Sequence, residues 1–188
     1  MERKRSVNVR KLVLCALLAA MQIVLARFAG VQVNEGIRIS FEAVPLILAG
    51  FWLGPVWGMA SAIVADLLGT VISGYGVYFP LLTGGPVLLT VVAGLGGNLH
   101  RTKDGTSPRG ILMFVLTVFV AELVSTFAYT PWALTLYYSI VVGKEMPYWV
   151  LFTARLPGKL VTLPVDILLS WVLHRSLYRP VIAKMTDR

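Results

Sequence analysis

Residues 41–69, FEAVPLILAGFWLGPVWGMASAIVADLLG, form an almost wholly apolar run, broken by Pro45, Gly50, Gly54 and Pro55 and closed by a lone carboxylate at Asp66. A run of this length exceeds one membrane span of roughly 20 residues, and Gly54-Pro55 at its middle marks a tight turn between two spans. Only a bilayer accommodates it. The first piece, residues 41–53, covers about 20 Å as a helix, against a hydrocarbon core of roughly 30 Å. It therefore enters obliquely or leaves part of the membrane depth to a loop. Non-helical backbone at that depth is tolerated only where it is buried in protein or lines a cavity.

With 57% hydrophobic and 14% charged residues, the whole chain, 1–188, is expected to be a single all-α domain, a polytopic membrane protein. Its net charge of +8 does not mark a nucleic-acid binder, because the basic residues gather at span ends. Arg3, Lys4, Arg5, Arg10 and Lys11 precede the first span; Arg101, Lys103 and Arg109 sit near the middle; Arg175, Arg179, Lys184 and Arg188 follow the last. Six transmembrane helices, at about 8–29, 41–53, 55–73, 84–98, 110–135 and 149–173, put all three groups on one side. Lysine and arginine held in the cytoplasm make the expected topology N-in/C-in, with Arg38 and Lys144 left outside. The N-terminus resembles a signal peptide, but Arg27 and Phe28 interrupt the place where a small-residue cleavage site would stand, so an uncleaved first span is expected. Cys15, the only cysteine, lies inside that span and suits apolar packing.

The ionisable residues within the spans are Arg27, Glu42, Asp66, Glu122, Arg155, Lys159 and Asp166. A charge at the bilayer centre costs about 2.5–3.5 kcal/mol, so these groups are expected to face a polar interior. For Glu122 and Asp166, structural pairing or partner contact is the favoured reading. Arg27, Arg155 and Lys159, gathered toward the external half, are expected to form an excess positive site suited to an anionic solute. Arg155 and Lys159 are four apart and share a helix face, with Pro157 between them. Residues 74–83, GYGVYFPLLT, either close over a planar ligand or place Tyr75, Tyr78 and Phe79 in an interfacial aromatic belt. Ala16 and Ala20, with Ala19 alongside, allow close helix approach, either inside this protein or to another membrane subunit.

No HExxH, GxSxG or CxxC motif is present, and Gly158-Lys159 lacks the glycine that a phosphate-binding loop would need at Thr153. The expectation is a protein that is not an enzyme, with no metal site and no cofactor, any ATP use belonging to another chain. A secondary transporter would use Asp66, Glu122 or Asp166 as proton carriers and would show inverted repeats, of which the sequence gives no convincing sign.

MQIVLARF (21–28), ISFEAVPLILAGFWLGPVWG, VADLLG, the VYFP loop, LTLYYSIVVGK and ARLPGKLVTLP together resemble the substrate-binding S components of energy-coupling factor (ECF) transporters, specifically the folate family, over nearly the whole chain. The resemblance implies a six-helix protein of the bacterial plasma membrane that binds a vitamin from outside. It also implies association with a transmembrane coupling subunit and two cytoplasmic ATPase subunits, and release of cargo by toppling in the membrane. Ala16 and Ala20 match the family's AxxxA docking motif. For folate, Arg27, Arg155 and Lys159 would meet the tail carboxylates, Tyr75, Tyr78, Phe79 and Trp149 would stack on the pterin, and Asp66 would accept from its N–H groups. Pantothenate would also satisfy a cationic site, with less use for the aromatics.

Overall fold

A computed structural model describes residues 9–28, 31–34, 37–39, 41–73, 78–100 and 108–177. The helices are α1 (Val9–Phe28), α2 (Ala43–Leu53), α3 (Pro55–Ser73), α4 (Pro80–His100), α5 (Pro108–Glu122), α6 (Thr130–Tyr137) and α7 (Tyr148–Leu177). A π-helical segment, Leu123–Tyr129, joins α5 and α6 into one rod and a second, Tyr138–Val142, extends it, so the described residues form a bundle of six rods. Five of them are long and apolar enough to cross a membrane, and the sixth is α2, only 11 residues long.

The fold is organised around α2. A helix apolar on every side must be covered on every side, and all of α2 except Phe51 is buried. α1, α3, α4 and α7 pack around it. Glycine brings the backbones close: a methyl group added to Gly50 would come within 2.9 Å of the Gly94 nitrogen and 3.0 Å of the Ala93 side chain on α4. Gly54, at φ 84°, ends α2 by donating its N–H to the Gly50 carbonyl at 2.9 Å. Pro55 then opens α3 at a position where a helix needs no N–H.

At one end of the bundle an aromatic layer closes the interior. Trp52 donates its indole N–H to His174 Nδ1 at 3.0 Å, and Phe114 lies between Phe51 (ring centroids 4.6 Å) and His174 (5.3 Å). Cys15 belongs to the neighbouring apolar core with Leu18, Val44 and Leu48.

Residues 30–40, between the first two expected spans, carry a short antiparallel hairpin, β1 (Val31–Asn34) with β2 (Ile37–Ile39), in which Val31 pairs with Ile39 and Gln32 with Arg38. Alternating Val31, Val33, Ile37 and Ile39 around an Asn-Glu-Gly turn sequence favours extended backbone. β2 lies against α7. The fifth rod extends to Val142 rather than ending near 135, because LTLYYSIVV stays apolar after Pro131.

Candidate functional site

Since α2 is short, the space beyond its N-terminus is left unfilled by helix. A cavity of about 570 Å³ occupies it, walled by α1, α2, α3, α4, the α5–α6 rod and α7. Four groups of polar side chains define its chemistry.

On α3, Asp66 Oδ2 accepts a hydrogen bond of 2.5 Å from the Thr83 hydroxyl of α4, and Thr83 Oγ1 lies 2.9 Å from the Tyr78 hydroxyl. Thr83 has one proton. With it committed to Asp66, Tyr78 donates to Thr83, and a directed chain from Tyr78 fixes the carboxylate on the cavity wall.

The second group sits where α5 meets the first π segment. Glu122 Oε2 is 2.9 Å from Lys159 Nζ and accepts from Thr126 Oγ1 at 2.8 Å, while Lys159 Nζ is also 3.6 Å from Asp166 Oδ2. The third group follows from the π geometry itself. Thr130 donates its backbone N–H and, at 2.6 Å, its hydroxyl to the Ser125 carbonyl, and Ser125, Thr126 and Thr130 line the cavity with Tyr138 of the second segment.

The fourth is the charged rim, Glu42 at the start of α2 and Arg155 on α7. α7 runs unbroken through Pro157 and Pro164, so Arg155 and Lys159 reach the same cavity. Among the described residues Arg155 makes no ion-pair contact.

The structure therefore brings Asp66, Arg155 and Lys159 together, and Tyr78 joins them through Thr83. Arg27 is on the last turn of α1; its side chain and Tyr75 lie outside the described residues. Phe79 packs edge-on against Tyr137, with ring centroids 5.5 Å apart, and is not on the cavity wall. Trp149 is 70% exposed and clusters with Tyr148 and Phe152 at the start of α7, away from the cavity. The expected excess of positive charge is absent from the described wall: Glu42, Asp66 and Glu122 stand against Arg155 and Lys159. Lys159 is drawn off by Glu122 and Asp166, which have no other cation within reach among the described residues. Sequence reasoning missed Thr83, Ser125, Thr126, Thr130 and Tyr138. Thr126, four residues after Glu122, was the one with a readable signal.

Residues 10–174 match a family model described as the substrate-specific component of the ECF transporter. The folate transporter FolT of Streptococcus mutans is 24% identical over 182 residues, covering 95% of this chain and 92% of that protein. FolT of Clostridium novyi is 26% identical over 167 residues, covering 89% and 88%. Among solved structures, FolT bound with folic acid superposes with a TM-score of 0.65 at 22% identity, over 86% of this chain and 90% of that one. The S-component for biotin of an ECF-type ABC transporter gives the same TM-score at 18% identity over the full length of both chains. These two likenesses establish a shared fold.

Proposed function

The chain belongs to the substrate-specific components of ECF transporters, and from that premise we propose that it is the folate-binding subunit of a vitamin importer. It is a multi-pass membrane protein. The reading rests above all on one observation: Arg155 stands on the cavity wall without an ion-pair contact among the described residues, in the same cavity as an Asp66 carboxylate held in place by Thr83. Folate asks for both, since its pterin edge donates hydrogen bonds and its glutamate tail carries two carboxylates. Biotin has one carboxylate and no aromatic ring, although the fold serves it equally well. The cavity of about 570 Å³ lies within the range of about 300–1,000 Å³ of small-molecule sites.

In this reading the cavity opens to the outside of a bacterial plasma membrane, and both termini are cytoplasmic, as the basic residues at alternate ends require. Arg27 and Arg155 hold the tail, Asp66 the pterin edge, and Tyr78 with Tyr75 covers the ring. A coupling subunit and two ATPase subunits supply the energy, because the chain has no phosphate-binding loop of its own.

Calorimetric titration of the purified protein with folate, a tailless pterin, biotin and pantothenate tests the assignment. Folate is expected to bind tightly and biotin and pantothenate not at all. Arg155→Ala is expected to weaken folate by about ten- to a hundredfold, as the loss of one charge-assisted hydrogen bond implies, and the tailless pterin much less. Equal losses for both ligands would reject Arg155 as the tail contact. Tight binding of biotin or pantothenate with no folate binding would replace the vitamin.

A further inference from the structure

Glu122 and Lys159, on the cavity wall, and Asp166 beneath it place two carboxylates and one ammonium in one cluster, where the carboxylate side chains are 1% and 0% exposed. With both acids ionised, the cluster carries one uncompensated negative charge at membrane depth, a state that buried groups escape by taking up a proton. The surroundings make it worse. Glu42, at the head of α2, adds negative field. From α5 the charged group facing the cluster is Glu122, and α6 has no charged residue. β2 carries Arg38, whose side chain lies outside the described residues. Along α7, His174 is two turns away with Nδ1 engaged by Trp52, and Arg155 lies three turns off in the other direction.

The two acids are not equivalent. Glu122 Oε2 has two donors, Lys159 at 2.9 Å and Thr126 at 2.8 Å, which stabilise its ionised form. Among the described residues Asp166 has only the more distant ammonium at 3.6 Å, and neither of its oxygens has a hydrogen-bond partner. A proton on Asp166 removes the excess charge.

We propose that Asp166 is a proton-binding site, a neutral carboxylic acid beneath the ligand cavity, and that its proton is linked to the binding of an anionic ligand above it. Lys159 is the connection: it lines the cavity and is balanced by Glu122 alone while Asp166 stays protonated. Ionising Asp166 adds a negative charge under the ligand. Affinity for an anion then falls with rising pH, by up to about tenfold per unit. The linkage rests on the folate reading; the proton on Asp166 does not.

Infrared spectroscopy of the reconstituted protein, labelled with ¹³C at aspartate carboxyls, tests the proton directly. The wild type at neutral pH is expected to show an isotope-shifted C=O band of a protonated acid, present in Asp66→Asn and lost in Asp166→Asn. Absence of the band, or its survival in Asp166→Asn, overturns the site. If Asp166→Asn does not fold, Asp166→Glu decides: with the label confined to aspartate, its isotope-shifted band must disappear, and survival rejects Asp166. Folate titrations from neutral to alkaline pH then test the linkage: wild type is expected to lose affinity more steeply than Asp166→Asn. Parallel curves overturn the linkage. A band with these properties in a protein that binds no folate upholds the proton site and removes folate as the cargo.

Discussion

At the residue scale, the charges in the spans divide into those held by the protein and those available to a ligand. Lys159 is held. Removing one partner of a buried ion pair typically costs about 3–5 kcal/mol, because the other charge is left uncompensated. Lys159→Ala, which strips Glu122 of its cation, is therefore expected to lower stability by about that amount. Arg155→Ala breaks no ion pair among the described residues and is expected to leave the unfolding midpoint nearly unchanged. Thermal unfolding in one detergent compares the two directly. The double variant Glu122→Leu with Lys159→Met removes both charges and is expected to recover most of the loss. A double variant as unstable as Lys159→Ala alone would mean that the pair acts through packing rather than charge.

The sequence made Asp66, Arg155 and Lys159 legible for a simple reason: an ionisable group in a membrane span is costly enough to need a purpose. It did not reveal how they are shared out. Lys159 lies 37 positions after Glu122, and nothing local to either residue states that they meet. The aromatic reading fared differently at each position. Tyr78 reaches the site through a hydroxyl relay to Asp66, whereas Trp149 stays at an exposed helix start. Residue type alone could not separate a ligand contact from an interfacial anchor.

At the element scale, the spans were readable because hydropathy and length report directly on the bilayer. Gly54-Pro55 marked the α2–α3 turn to the residue. The hairpin and the π segments were harder. Each hairpin strand is three or four residues long, and a π turn adds a residue without disturbing the apolar composition by which a span is recognised. That extra residue has consequences, since Ser125, Thr126 and Thr130 reach the cavity from the widened stretch. The close approach of α2 and α4 yields a sharper prediction. Gly50→Val forces side-chain atoms against the backbone of Gly94, and is expected to cost roughly 1–3 kcal/mol by overpacking and to weaken ligand binding as α2 is displaced from the cavity floor. Gly143→Ala is the comparison. It sits in a left-handed conformation, and an added methyl group would meet nothing within 4 Å among the described residues beyond its chain neighbours, so it is expected to cost about 1 kcal/mol in local strain and to leave binding unchanged. Thermal unfolding and calorimetry on both variants check this, and equal effects on binding would show that α2 does not govern the cavity.

At the scale of the whole molecule, the unresolved choice in the sequence was between internal packing and docking for the small residues of α1. The helix buries Cys15, Leu18, Ala19 and Gln22 against its own bundle. Ala16 and Ala20 point away from that face and are exposed. Internal packing therefore falls to Ala19, and Ala16 and Ala20 are left for lipid or for another helix. Lipid and partner make opposite demands on size. A lipid-facing position accepts a bulky apolar side chain, because acyl chains rearrange around it, whereas a close helix crossing built on small residues does not. The variant Ala16→Trp with Ala20→Trp is expected to bind folate as the wild type does, since both positions lie outside the cavity wall, but to lose co-purification with a coupling subunit and its ATPases. If the variant assembles normally, the α1 face meets only lipid and docking belongs elsewhere on the bundle. Loss of folate binding with assembly intact would contradict the separation between an inward-facing vitamin site and an outward-facing partner surface on which this reading of the molecule depends.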